Sequence, residues 1–198
     1  MLNGTELTAV TSNSNPIIFV ICGAGGAGKG TIVGELMRED PTMHLSQSWT
    51  TRPRRPNEAV DAYAYVTDKQ FDERVAADGF YEWANFFEYR YGTPTPIVPD
   101  GKDLLLEIDV QGAVAVRDRE PDAVVILIVP PNRLEQENRM RVRGDSEEHI
   151  KQRLAAAEME EEIGRKLADS VVLNGELGVA VSEVQSVVAE VRQRRLSR

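Results

Sequence analysis

Short unbroken apolar runs recur along the chain: Ile17–Cys22, Leu104–Leu106, Ala123–Val129 and Val171–Leu173. Strands of this composition are buried on both faces and belong to parallel sheets flanked by helices. The pattern therefore predicts strands over 17–22, 102–109, 122–129 and 170–173, with a shorter one over 43–48. Ile32, Val33, Leu36 and Met37 recur at helical spacing ahead of Pro41, which disfavours helical backbone in the residue before it. A helix is expected to open near Lys29 and end around Glu39 and Asp40. Leu177, Val181, Val184, Val188 and Val191 mark the apolar face of a terminal helix, beyond which the basic residues 192–198 are expected to fray. Two strongly charged helical stretches, 134–142 and 147–162, meet at Gly144. They bury little apolar area and read as a mobile lid, with the acidic run 158–162 as a solvated face.

Residues 48–101 have a different texture, aromatic and punctuated by proline. Tyr63–Thr67 reads as a strand, and Thr67-Asp-Lys-Gln70 as a capping box opening a helix through Ala77. Phe80–Phe87 alternates as a second strand with Trp83 and Phe86 in the core, and Arg90–Pro96 reads as a turn or loop. The expected division is a tail over 1–15, a core over 16–47, 102–131 and 164–195, an inserted lobe over 48–101 and a lid over 132–163.

A chain of 198 residues suits one α/β domain with a sizeable core. Its 23 basic and 32 acidic residues give a net charge of −9, which argues against general nucleic-acid or anionic-membrane binding. An anionic substrate must then be held by local basic islands, and Arg52, Arg54 and Arg55 form one while Arg139, Arg141 and Arg143 form another. Cys22 is the only cysteine, so no disulfide framework exists and a reducing compartment is expected. The polar segment Met1–Asn15 has neither the basic start nor the apolar centre of a secretory signal, and no run reaches the ~20 apolar residues of a membrane span. A soluble, cytoplasmic protein is expected. His44 and His149 are isolated, and no Cys/His cluster of metal-ligand spacing occurs.

The chemistry concentrates behind the first apolar run, at Gly23, Ala24, Gly25, Gly26, Ala27, Gly28, Lys29, Gly30 and Thr31. This fits the P-loop pattern G-x-x-x-x-G-K-[ST] except that Gly30 stands where the hydroxyl usually sits, which arrives one residue later at Thr31. Glycines let backbone N–H groups turn inward around a phosphate, the following helix presents its N-terminus to the same anion, and Lys29 adds a point charge. Asp109, ending an apolar strand, looks like the Walker-B carboxylate found at the phosphate edge of such sheets.

Taken together, these motifs resemble the guanylate kinase family from about Ile17 to Val191. The likeness rests on Ser48-Trp-Thr-Thr-Arg52 with Arg55 and Glu58, then Glu82-Trp-Ala, Tyr91-Gly92-Thr93, Glu107-Ile-Asp-Val-Gln-Gly112, Pro130-Pro131, Arg139, Arg143-Gly144, Arg153-Leu154 and Asn174. It implies a five-stranded parallel sheet of P-loop kinase type and Mg2+-dependent phosphoryl transfer from ATP to GMP, with dGMP a further candidate substrate. In that scheme Lys29, Arg55, Arg143, Arg153 and Asp109 are catalytic. Gly23 to Thr31, Arg139, Arg143 and Asn174 bind ATP. Arg52, Arg55, Glu58, Tyr63 and Tyr91 surround the GMP phosphate, with Glu107 and Asp109 beside it. Ser48, Glu82, Gly92 and Thr93 meet the base, Glu82 accepting the two guanine donors. No direct metal ligand is assigned. Departures from the family pattern are Ala24-Gly25 in the loop, Asn57 for a usual glycine, and single-residue deletions after Glu58 and after Arg143. Competing readings are a scaffolding module that binds a phosphorylated peptide and another P-loop kinase such as an adenylate kinase.

Overall fold

Each continuous apolar run becomes a strand of one parallel sheet. The protein is described from a computed structural model over residues 15–55 and 58–197. All of the expected tail except Asn15 lies outside the described residues, as does Asn57. Along the chain, β1 (Ile18–Cys22) leads to α1 (Lys29–Glu39), β2 (Met43–Leu45), β3 (Trp49–Thr50), β4 (Ala64–Tyr65), α2 (Asp68–Ala76), β5 (Phe80–Phe86) and β6 (Tyr89–Pro94). Then come β7 (Asp103–Glu107), α3 (Val110–Arg119), β8 (Val124–Val129), α4 (Arg133–Val142), α5 (Glu147–Leu167), β9 (Ser170–Leu173) and α6 (Leu177–Leu196).

The main sheet runs β2-β7-β1-β8-β9, all parallel. Successive residues of β1 serve opposite faces. Phe19 and Ile21 pack with Ile32 and Leu36 of α1 and Val184 and Val188 of α6. Val20 and Cys22 pack with Val110, Ala113 and Val116 of α3. With β7 on one side of β1 and β8 on the other, the crevice at their carboxyl ends is a topological switch point, where α/β sheets bind ligands.

A second sheet, β4-β3-β6-β5, forms between β2 and β7 in sequence. Here the expected loop over 90–96 is corrected: Tyr89–Pro94 is a strand paired antiparallel with both β5 and β3. Gly92 and Pro94 look like turn residues, but Gly92 faces Trp49 and Trp83 across the pair and Pro94 sits at the strand's last position. The strand expected over 43–48 stops at Leu45, because Trp49 and Thr50 leave for the second sheet, and the one over 63–67 shortens to two residues. Phe71 and Phe80 stack 4.5 Å apart in the centre of this unit, whereas Trp83, expected in the core, is 43% exposed.

Three helices also differ from expectation. α3 had no distinct periodic signal, since its short run Val110 to Arg119 has small residues where larger apolar ones would mark a face. α5 continues to Leu167, past the acidic run, because Gly164 is pressed onto Leu127 of β8. α6 stays helical to Leu196, and Arg192 bridges Asp40 and Asp103 instead of fraying. The arm α4–α5 also buries more than its composition suggests, with Met140, Ile150 and Ala157 inaccessible to solvent or nearly so. Among the described residues, no helix is long and apolar enough to cross a membrane.

Candidate active site

The loop between β1 and α1 curls around its own axis through Gly26 and Gly28, which hold φ of +84° and +92°. Only glycine adopts such backbone freely, and at Gly28 a Cβ would also lie 2.2 Å from the Asn174 amide. Lys29 folds back so that Nζ donates to the Gly23 carbonyl at 2.5 Å and to that of Ala24 at 3.4 Å. Burial pulls its ammonium below the ordinary range, while the nearby charges of Glu107 and Asp109 oppose that shift. Gly30 permits the close approach of Glu107, whose Oε1 would lie 3.4 Å from a Cβ there. Thr31 is exposed in the first turn of α1.

The arm and β9 grip this loop from outside. Asn174 donates from Nδ2 to the Ala27 carbonyl at 2.8 Å, and Arg139 reaches the same carbonyl at 3.3 Å and the Asn174 carbonyl at 2.9 Å. Gln136, fully buried on α4, donates to the Gly25 carbonyl at 2.6 Å. Sequence patterns gave no reason to select Gln136, because a glutamine in a charged helix carries no signal until the loop beneath it is known. Arg153 of α5 brings Nη1 to within 2.6 Å of where a Cβ on Gly25 would stand, and its guanidinium lies over Phe86 and Phe87 at 5.1 and 5.8 Å. It has no carboxylate partner among the described residues, and burial together with the charge of Arg143 pulls its pKa down.

Opposite the loop, the second sheet supplies an Arg/Tyr cluster. Arg52, 6% exposed, is completely engaged: Nε donates to Tyr91 Oη at 3.2 Å, Nη1 to the Pro53 carbonyl at 2.6 Å, and Nη2 to both oxygens of Glu58 at 2.8 and 2.9 Å. Burial works against the Glu58 charge, but the Arg52 hydrogen bonds and the Arg55 N–H outweigh it and hold the carboxyl below the usual range. Tyr63 packs edge-on against Tyr91 at 6.1 Å, and burial followed by the charge of Glu107 raises its phenol. Tyr65 joins the cluster beneath Arg52, 5.9 Å from its guanidinium; its two-residue strand offered no way to single it out.

Beside this cluster lies a second carboxylate pocket. Glu82 of β5 faces Thr93 of β6 across the pair, so the Thr93 N–H and hydroxyl donate to Oε1 at 3.1 and 2.5 Å. Ser48 precedes Trp49, which pairs with Gly92, so its register places it opposite Thr93. Oε2 of Glu82 points at Gly112 of α3, 2.9 Å from where a Cβ would be. Burial raises the Glu82 pKa to about 7 despite the Thr93 hydrogen bonds.

The acids near the loop take roles the sequence did not separate. Asp109 does not end the strand: β7 stops at Glu107, and Asp109 caps α3, its Oδ1 accepting from the Gly112 N–H at 2.8 Å. Glu107 makes no side-chain hydrogen bond among the described residues and is raised by burial against the pull of Lys29. Within the run expected to be solvated, Glu160 is half-buried two turns beyond Arg153 on the inner face of α5; burial raises it, and Lys29, Asp109 and Arg153 are its charged neighbours. Among the described residues, no group of three or more His, Cys, Asp or Glu side chains could by itself hold a metal.

Anion donors thus stand on both banks of one crevice, a phosphate loop on the main sheet and an arginine cluster on the inserted one. That arrangement is a P-loop kinase of the nucleoside-monophosphate class. A sequence model of guanylate kinase matches residues 14–191. Guanylate kinase of Symbiobacterium thermophilum is 38% identical over 186 residues, covering 90% of this chain and 87% of its own, and that of Prochlorococcus marinus is 42% identical over 175, covering 85% and 93%. The crystal structure of guanylate kinase from Anaplasma phagocytophilum shares the fold, with a TM-score of 0.71 at 24% identity over 88% of this chain and 85% of that one. The chain belongs to the guanylate kinase family.

Proposed function

We propose that this chain transfers the γ-phosphoryl group of ATP reversibly to GMP, giving ADP and GDP. The observation that carries the reading is Glu82: a half-buried carboxylate, hydrogen-bonded through one oxygen among the described residues, placed beside the Arg/Tyr cluster and across from a phosphate loop that keeps its glycines and Lys29. Guanine presents two adjacent donors and would satisfy such a carboxylate, whereas adenine would leave it buried and unpaired. Sites built on substrate hydrogen bonds reject analogues lacking them by about 10⁴-fold or more.

In this reading residues 48–101 form the GMP lobe, 132–163 the lid, and the rest of the chain after the tail the core. Ser48, Gly92 and Thr93 line the base site with Glu82. Arg55, Tyr63 and Tyr91 hold the GMP phosphate, with Arg52 and Glu58 fixing them from behind. The loop 23–31 with Lys29 holds the ATP phosphates, and Arg139 and Asn174 brace the loop on the adenine side. Arg143 and Arg153 complete the site from the lid. Because the transferred group spreads charge over its oxygens, catalysis here is positioning and charge stabilisation. The half-buried guanidinium of Arg153, without a carboxylate partner among the described residues, is a donor set in place before that charge develops.

Magnesium would accompany ATP, and the donor chemistry fits it. Glu107 and Asp109 are hard oxygen donors beside Lys29, which suits an ion that keeps most of its waters and is shared with substrate phosphates. When bound, it would supply charge neutralisation at the ATP phosphates. The protein's location in this reading is the cytoplasm, with no membrane or nucleic-acid partner.

A coupled assay with ATP and magnesium, offering GMP, dGMP, AMP, UMP and CMP in turn, tests the proposal. GMP should be turned over at least 10³-fold more efficiently than AMP, a margin within that of hydrogen-bonded sites. Preference for AMP would overturn the base assignment, and no turnover of any acceptor would overturn the activity.

A further inference from the structure

One carboxylate belongs to none of these roles and yet sits at their junction. Asp145 lies between α4 and α5, where the chain turns through Gly144 with φ of +90°. The Gly144 N–H donates to the Arg141 carbonyl at 3.0 Å and the Asp145 N–H to that of Met140 at 3.1 Å, the paired bonds of a Schellman turn. One residue later Ser146 caps α5 by accepting from the His149 N–H at 3.3 Å. The backbone of Asp145 is therefore fixed from both sides by helix ends. Its side chain is 4% exposed and spans two elements: Oδ1 accepts from Arg55 Nε at 3.1 Å, with Arg55 Nη2 at 3.0 Å, while Oδ2 accepts from Arg143 Nε at 3.2 Å and also from Nη2.

From this geometry we infer that Asp145 is a positioning residue: it draws the acceptor-side Arg55 and the lid's Arg143 into one cluster and so holds the lid against the GMP lobe. The inference rests on the assignment of those two arginines to phosphate handling. Without Asp145, Arg143 and Arg153 would have no ion-pair partner among the described residues and Arg55 would keep only the looser contact with Glu58 at 3.6 Å, so the like charges brought together there would repel. Burial opposes the Asp145 charge, but hydrogen bonding and charge from Arg143, with further charge from Arg55 and Arg153, overcome it and keep the group ionised. In the other direction, removing the carboxylate leaves the phosphate-facing charge more positive. Its loss should therefore impair placement of the arginines without weakening capture of GMP.

The test uses the full chain with probes on exposed positions Lys69→Cys of α2 and Lys151→Cys of α5; buried Cys22, its thiol pushed up to about 12, stays unlabelled. In substrate-free protein, Asp145→Asn should lengthen and broaden the probe separation, and Asp145→Glu should restore most of it. The kcat of Asp145→Asn should fall by on the order of 10²-fold, the loss typical of a misplaced catalytic group. The GMP dissociation constant should rise less than about threefold, well under the tenfold that 1.4 kcal/mol represents. Asp145→Ser is a second charge-deleting variant. An unchanged separation with unchanged kcat, GMP binding weakened in step with kcat, or loss of fold in both charge-deleting variants would overturn the inference. Absence of turnover in the unsubstituted chain would instead refute the kinase reading and leave the distance measurement standing.

Discussion

Arg52 and Arg55 are three residues apart and chemically identical, yet they do different work. Every nitrogen of Arg52 is already bonded within the protein, which makes it the frame of the cluster. Arg55 keeps Nη1 3.6 Å from Glu58 and outside any hydrogen bond, so it retains a donor for a phosphate. Glu82 shows what it costs to hold a carboxylate in a desolvated pocket. Its carboxyl titrates near 7 in the folded chain against 4.5 when solvated, so folding favours the protonated form. Its contribution to stability is accordingly full below about pH 4.5 and declines as pH rises toward 7, by on the order of 3 kcal/mol for a shift of this size. Glu82→Gln should remove that decline: in urea titrations the variant gains on the parent between pH 5 and pH 8. Only the ionised carboxylate accepts both guanine donors, so GMP affinity of the parent should rise from pH 6 to pH 8. Glu82→Gln should raise the KM for GMP by ~10- to 100-fold, the value of a charged hydrogen bond or two, with little change in that for ATP. Arg153 makes a complementary case. Arg153→Met should lower kcat by roughly 10³-fold, as loss of a transition-state arginine does. Its substrate-free melting temperature should not fall, because the substitution removes a half-buried charge that has no carboxylate partner among the described residues.

At the level of elements, much of the local structure follows from local chemistry. Thr67 and Gln70 form the reciprocal capping box, with the Gln70 N–H donating to Thr67 Oγ1 at 3.3 Å and the Thr67 N–H to Gln70 Oε1 at 2.9 Å. Thr67→Ala should cost about 1 kcal/mol, read as a melting temperature lower by ~2–4 °C in calorimetry. Since Thr67 is exposed and belongs to neither proposed substrate site, kcat should be unchanged. α3 behaves differently, because its contact with β5 shapes the base pocket. A Cβ at Gly112 would stand 2.9 Å from Oε2 of Glu82. Gly112→Ala should therefore displace the base-reading carboxylate and raise the KM for GMP selectively, a result steady-state kinetics with each substrate varied would reveal. Equal effects on both substrates would point to general loosening of α3 instead.

Across the whole molecule, the two sheets and the α4–α5 arm all border the crevice, so ligands there should stabilise the entire chain. ATP at ~100 times its dissociation constant should add about 2.7 kcal/mol, or roughly 5–10 °C in melting temperature. The sequence by itself determined the parallel core, since runs such as Ile17–Cys22 are too apolar to have a wet face, and it determined the phosphate loop, whose function is written in contiguous residues. The family motifs pointed to residues on both sides of the crevice, which are the substrate banks of the proposal above. Tertiary structure decided what depends on partners distant in sequence. Tyr89–Pro94 is a strand because β3 and β5 flank it, overriding the turn character of Gly92 and Pro94. Trp83 is exposed because Phe71 and Phe80 already fill the centre of its unit. Asp109 caps α3, Glu160 turns inward and Gln136 seizes a loop carbonyl for the same reason: a polar side chain's role is set by which groups folding brings within 3 Å. No spacing along the chain encodes the meeting of Asp145 with Arg55, 90 residues away, because it exists only once the α4–α5 turn lies against the segment after β3.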